Sequence, residues 1–281
     1  MIGLDFGFGP LEAEFWRFVF VMTRIGAALF AVPLFGAAAV PSQVRVIITG
    51  ALAVFVCAWT GVAAPPALLS LAGMIDIAGE VVIGLALGFV LQLAFAAPVI
   101  GAELIGAGMG MSIASTADPL NGAHSPVLGQ YFSVVLTLVF LGTGAHLDWI
   151  SLVVESYRTF PPGSPWMTPG RLHMIDAFAG DMFVAGISIA LPVVVLLLVV
   201  QIVTGVISRS APSLNLFALG LPAGVLAGIV AMIVSAPLIS DRLTDLAHTA
   251  VAQSATLLFD NGPKPHTALA ANARKARPDG R

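Results

Sequence analysis

The sequence predicts an all-α membrane protein of multiple hydrophobic helices, several of them proline-broken or hairpin-like, and three observations carry that prediction. Composition comes first: of 281 residues, 58% are hydrophobic and 10% charged, with a mean hydropathy of +0.98. That leaves too little polar surface to cover a soluble globule. Several stretches also reach the roughly 20 apolar residues that cross a hydrocarbon core about 30 Å thick, at about 1.5 Å of rise per residue. Finally, the period-two alternation of a transmembrane barrel is absent.

In chain order, apolar helical segments are expected at 15–35, 44–64, 74–97, 127–147, 182–207 and 214–239, with a glycine-rich, weaker segment at 99–117. Prolines punctuate them at Val40-Pro41-Ser42, Ala64-Pro65-Pro66, Asp118-Pro119 and the run from Phe160 to Pro165. The stretch 156–175 reads as a polar connector. The chain therefore divides into an N-terminal segment (1–14), a polytopic helical domain (15–240) and a polar, basic C-terminal tail (241–281). Acidic Glu12 and Glu14 precede the first apolar run where a cleavable signal would carry basic residues, so that run is expected to persist in the mature protein.

Net charge is −3, unevenly spread. Residues 261–281 hold five basic groups against one acid, a local charge of +4, leaving −7 on the preceding 260. A basic tail after a hydrophobic body suggests a cytoplasmic C-terminus beside anionic headgroups of membrane lipid. It does not suggest nucleic acid, for which a basic face would be needed. The tail has no periodicity and is expected to be partly disordered. The single Cys57 reads as a small buried hydrophobe.

Charges inside apolar runs are few. Arg17, Arg24, Glu80 and Glu103 sit within or beside them, where a lone charge costs about 2.5 to 3.5 kcal/mol on insertion scales. They must pair, snorkel or lie outside lipid. Arg17 and Arg24, seven apart on one helical face, are read as reaching headgroups or a neighbouring carboxylate in preference to substrate. If every segment spans and the tail is cytoplasmic, Arg209 falls on the opposite side, against the positive-inside trend. Together with Pro33, Pro98, Pro192, Pro222 and Pro237, that argues for broken or hairpin helices packed on protein.

Small residues recur four apart at Gly84 and Gly88, at Gly106 and Gly110, and at Gly220, Gly224 and Gly228. This spacing lets helix backbones approach closely. Catalytic chemistry is thin: Gly110-Met111-Ser112, with Asp118 and His124 downstream, lacks the second glycine of a nucleophile elbow. The five histidines lack ligand spacing, and no phosphate-binding fingerprint occurs. The chain is thus read as a non-enzyme with no metal and no cofactor.

The most informative stretch is Gly101 to Ser112, with Gly106, Gly108, Met109, Gly110 and Met111, continuing through Ile113 to Asp118-Pro119-Leu120-Asn121-Gly122 and Ser125 to Gln130. It is glycine-dense, carries two methionines and ends in an Asp-Pro turn. Such backbone lines a cavity or is buried in protein, because lipid leaves its polar groups unsatisfied. It is either a tightly packed re-entrant connector or a deformable closure of a pathway, with methionine suited to sealing varied surfaces. Glu103 and Asp118 have a third reading as proton-relay groups. Asn215 is read as an interhelical hydrogen-bonding residue or a helix-start group after Pro212.

The stretch from Glu103 to Gln130 resembles the central signature of the FliR family of type III secretion export-gate proteins. Thr23-Arg24-Ile25-Gly26, Pro33-Leu34-Phe35-Gly36 and Val40 to Arg45 are similar to that family's first hairpin, and Ala211 to Pro222 to its C-terminal motif. The resemblance covers most of residues 15–240. It implies a structural subunit of the flagellar export gate in a hetero-oligomeric helical assembly with FliP-like and FliQ-like subunits, beside FlhB-like and FlhA-like membrane proteins. That assembly would sit in the bacterial inner membrane at the flagellar basal body and conduct unfolded export substrates. It further implies a constricting loop at Gly106 to Gly122, in which Met109, Met111 and Ile113 exclude water and ions. The rival from a different class is a polytopic small-molecule transporter or channel, which would show paired repeats and convergent mid-membrane polar groups. An intramembrane enzyme is a distant third.

Overall fold

A computed structural model of the chain describes residues 10–36, 40–62, 70–111, 126–164, 168–210 and 216–259. Among them every regular element is a helix: α1 (Pro10–Ala31), α2 (Pro33–Gly36), α3 (Ser42–Trp59), α4 (Leu71–Gly108), α5 (Pro126–Gly142), α6 (Ala145–Thr159), α7 (Pro169–Ser210) and α8 (Leu216–Leu258). The all-α prediction holds. Four of these, α3, α4, α7 and α8, are long and apolar enough to cross a membrane, and α5 with α6 makes a fifth if the bent pair is one span.

The helices are longer than the apolar runs suggested. The 74–97 segment and residues 99–108 of the next are joined in α4, which continues through Pro98. Pro192 lies inside α7, and Pro222 and Pro237 inside α8. Each proline removes one hydrogen bond from the helix, and the helix nonetheless continues on both sides of it. Pro41 and the Pro161-Pro162 pair stand between helices as expected, but of the five prolines inside or at the edges of apolar runs only Pro33 stands at a break, between α1 and α2. Another break falls where no proline stands, between α5 and α6, where Gly144 adopts a φ of +78°, a conformation glycine enters without steric penalty. The connector expected at 156–175 is shorter, since α6 runs to Thr159 and α7 starts at Pro169, a residue favoured in the first helical turn. Helix α8 runs on to Leu258, past the boundary drawn at residue 240. It buries Leu243, Leu246, Ala247, Ala250 and Ser254 at helical spacing while Asp241, Arg242, Asp245 and His248 stay exposed. Residues 260–281, the basic tail, lie outside the described residues.

The chain forms two compact units, one of residues 1–92, 144–178 and 249–281 and the other of 93–143 and 179–248. The first is organised on α1, whose Phe20, Val21, Arg24, Ile25 and Ala28 form one buried stripe. Helix α1 packs on α3. It also meets α4 at close range: a Cβ built on Gly84 would overlap the Arg24 carbonyl oxygen and lie 2.9 Å from Ala27 Cβ, and one on Gly88 would lie 2.5 Å from Ala31 Cβ. The Gly84 and Gly88 pair therefore serves the packing expected of it. From α6 come the buried Ala145, Trp149, Val153 and Tyr157; Trp149 Nε1 donates to the Leu87 carbonyl at 3.3 Å.

The second unit uses the same device between α4 and α7. A Cβ on Gly101 would lie 2.9 Å from the Gly186 carbonyl oxygen, and one on Gly186 would lie 2.6 Å from that of Ala97. Phe95 and Phe140 meet edge to face at 5.8 Å. Outward, α7 exposes Phe183, Val184, Leu191, Val195, Leu198 and Ile202, each more than half accessible.

Candidate functional site

Two constellations stand out, one in each unit. In the first, Arg24 is fully buried, and α1 places it opposite Glu80 of α4, which is 1% exposed. The pair is bidentate, Nε to Oε2 at 2.8 Å and Nη2 to Oε1 at 2.7 Å, the fork geometry that makes guanidinium–carboxylate contacts strong. The remaining donors are also used: Nη1 donates to Ser156 Oγ at 3.1 Å and Nη2 to the Phe160 carbonyl at 2.8 Å. Tyr157 lies with its ring 4.2 Å from the guanidinium carbon and donates its hydroxyl to the Val21 carbonyl at 2.7 Å. Arg171 stacks on the far side of the cluster, 4.6 Å from the Phe160 ring, and donates to the Leu257 carbonyl at 3.2 Å. Burying two charges is costly unless geometry and hydrogen bonds are nearly complete, and here they are. The sequence reading that Arg24 reaches a neighbouring carboxylate is met by Glu80.

Arg17 has a different task. Its Nη2 donates to the carbonyls of Cys57 at 2.8 Å and Thr60 at 2.6 Å, while Nη1 lies 3.3 Å from Glu14. The last carbonyls of a helix have no intrahelical donor and carry the negative end of its dipole, so Arg17 of α1 caps α3. Neither arginine on the shared face reaches for headgroups.

The second constellation is the end of α4. The helix closes at Gly108, and Gly110, with φ +83°, donates its N–H to the Ala107 carbonyl at 3.0 Å, the backbone pattern of a glycine-terminated helix. Gly110 is thus a helix stop that needs glycine. Met109, between them, is 3% exposed and rests on α8. A Cβ on Gly224 would lie 2.9 Å from the Met109 carbonyl oxygen; one on Gly228 would overlap Met109 Cε and lie 3.0 Å from Sδ. From α7, the exposed Gln201 donates its amide to the Gly108 carbonyl at 2.7 Å, and Leu197 Cδ1 lies 3.0 Å from where a Gly108 Cβ would be.

Of the residues singled out in the sequence, the structure brings Gly108, Met109, Gly110 and Gly224 together. Gly106 is buried one turn earlier, where a Cβ would meet Leu128 at an ordinary 3.7 Å. Met111 and Gly220 are half-buried, and Glu103 is exposed on α4. Ile113, Asp118, Pro119, Gly122 and Asn215 lie outside the described residues. Sequence reasoning missed Ser156, Tyr157, Arg171, Gln201 and Gly228's role as the seat of a side chain. A signal existed for α6: Ala145, Trp149, Val153 and Tyr157 recur every fourth residue. For Gln201, an amide in an apolar run was the available clue.

Most of the arrangement lies within a stretch shared with known proteins. Residues 15–250 match the family described as bacterial export proteins, family 1. The flagellar biosynthetic protein FliR of Pectobacterium carotovorum subsp. carotovorum is 32% identical over 226 residues, covering 80% of this chain and 84% of that protein. That of Escherichia coli (strain K12) is 35% identical over 161 residues, 57% of this chain and 62% of that protein. That of Bacillus subtilis (strain 168) is 31% identical over 224 residues, 78% and 86%. By the family match and by these identities, the chain belongs to the FliR family of bacterial export proteins.

Proposed function

We propose that the chain is a structural subunit of the flagellar type III export gate and, with FliP-like and FliQ-like subunits, lines a conduit for unfolded flagellar proteins across the bacterial inner membrane. The observation that carries this is a mismatch of length. Helices α4, α7 and α8 hold 38, 42 and 43 residues, about 57 to 65 Å of helix each, close to twice the roughly 30 Å of a hydrocarbon core. Exposed large apolar side chains follow α7 from Phe183 to Ile207, about 36 Å along its axis. Lipid covers only part of that, so other helices must cover the rest, as in a subunit of a larger helical assembly.

Within this reading the stretch Gly106 to Gly122 closes the conduit, and the glycines at the end of α4 fix where it departs. FlhB-like and FlhA-like membrane proteins lie beside the assembly at the basal body. The chain contributes shape and contact, not bond-making chemistry. The two buried charges of the first unit support this: every polar atom that Arg24 and Glu80 direct at one another is engaged, leaving a scaffold in place of an open relay.

The test is purification of the tagged chain in mild detergent, co-expressed with the membrane proteins encoded beside it, followed by native mass measurement. A large complex containing FliP-like and FliQ-like subunits is expected. A stable lone chain or homo-oligomer would replace this reading with that of a small-molecule transporter.

A further inference from the structure

The α4 terminus is held by contacts of an unusual kind for a buried junction. Its last carbonyl accepts from Gln201, whose own side chain is exposed, and Met109 fills a space that exists because α8 has no side chain at Gly228. Leu197 of α7 packs against Gly108, and no ion pair is found there among the described residues. The hold consists of one neutral hydrogen bond, the Leu197 side chain against Gly108 and a flexible thioether in a glycine notch. Next to it, Gly110 occupies a backbone conformation that glycine enters and leaves at little steric cost.

The geometry points to a seat and a latch: Gly224 and Gly228 seat Met109, and Gln201 is the positioning residue that latches the α4 terminus in the closed state of the conduit. The gating part rests on the conduit reading above. The closed state is then favoured by about two- to tenfold through this bond, the equilibrium effect of one neutral hydrogen bond. A contact of that size holds without locking. The Arg24 cluster, with several charge-assisted bonds, is unsuited to such a role.

The test uses the full chain in its membrane complex, reconstituted in liposomes and treated with limiting hydrogen peroxide. Met109 sulfoxide is read by mass spectrometry and ion leak on the same sample; a seated thioether is shielded from oxidation. Gln201→Leu is expected to raise both by about two- to tenfold, and Gly228→Ala to raise both by displacing the Met109 side chain. Gln201→Glu is expected to leak with a pH dependence that Gln201→Leu lacks. Its carboxylate cannot donate to the Gly108 carbonyl, and its protonated form at lower pH can, so leak falls as pH falls. Unchanged Met109 oxidation in both Gln201→Leu and Gly228→Ala overturns the seat. A deletion of residues 108–112 separates the two readings. If it leaks while Gln201→Leu oxidises Met109 without leak, the latch is overturned and the conduit stands; if the deletion is also silent, the conduit reading falls.

Discussion

The two units solve the same problem, joining apolar helices where the hydrophobic effect gives no drive in lipid, by opposite means. The first places charge at its centre and satisfies it, with Arg24 spent on Glu80, Ser156 and Phe160. The second removes side chains, so that Met109 lies on Gly224 and Gly228 and the Gly101 and Gly186 backbones nearly touch. A satisfied charge cluster resists rearrangement because every partial break leaves a buried charge. A glycine notch filled by methionine does not. The comparison teaches which part of the chain is built to hold and which is built to let go.

The sharpest break is expected from Glu80→Ala, which strands the buried Arg24 guanidinium. Removing one partner of a buried pair costs about 3 to 5 kcal/mol, and the detergent-solubilised chain should lose its cooperative thermal transition or show it far lower. The double variant Arg24→Ala with Glu80→Ala should recover part of that loss. Gly84→Ala comes next. The new methyl strikes the Arg24 backbone carbonyl, which cannot swing aside, so a loss of about 1 to 3 kcal/mol is expected in a thermal melt. Arg17→Ala uncaps α3 and should cost about 1 to 2 kcal/mol, seen as faster hydrogen exchange around Thr60.

Smaller effects belong to the second unit. Gly228→Ala meets only the Met109 side chain, whose far end can move, and the helix gains about 0.8 to 1 kcal/mol from replacing glycine. Its melt should shift little even though Met109 becomes oxidisable. Gly106→Ala meets Leu128 without overlap and should be neutral or slightly stabilising. A large loss there would mean that Gly106, too, faces a backbone at close range.

How much of this was legible in the sequence follows the same division. Charges in apolar runs are conspicuous, so Arg24 and Glu80 were both marked, and the pairing of Arg24 with a carboxylate was anticipated. Their neutral partners were not. Ser156 and Tyr157 fall where charged and polar residues dilute the apolar run, and the helix there is legible only by its four-residue period. The glycine spacing at Gly84 and Gly88 announced a close approach without naming α1 as its partner. Proline misled in the other direction: Pro98, Pro192, Pro222 and Pro237 sit in continuous helices, while a break falls at Gly144, where the sequence has no proline. Gln201, an amide in an apolar run, could be noticed but its partner could not, because the carbonyl it meets lies 93 positions away along the chain.

The central claim is that the long outward face of α7 is covered by partner helices. The direct measurement is photo-crosslinking in living cells from a benzophenone side chain placed at Val195, which is 51% exposed. The account predicts crosslinks to other membrane proteins of the export apparatus, lost when their genes are deleted. Crosslinks to lipid alone, unchanged by those deletions, would contradict it.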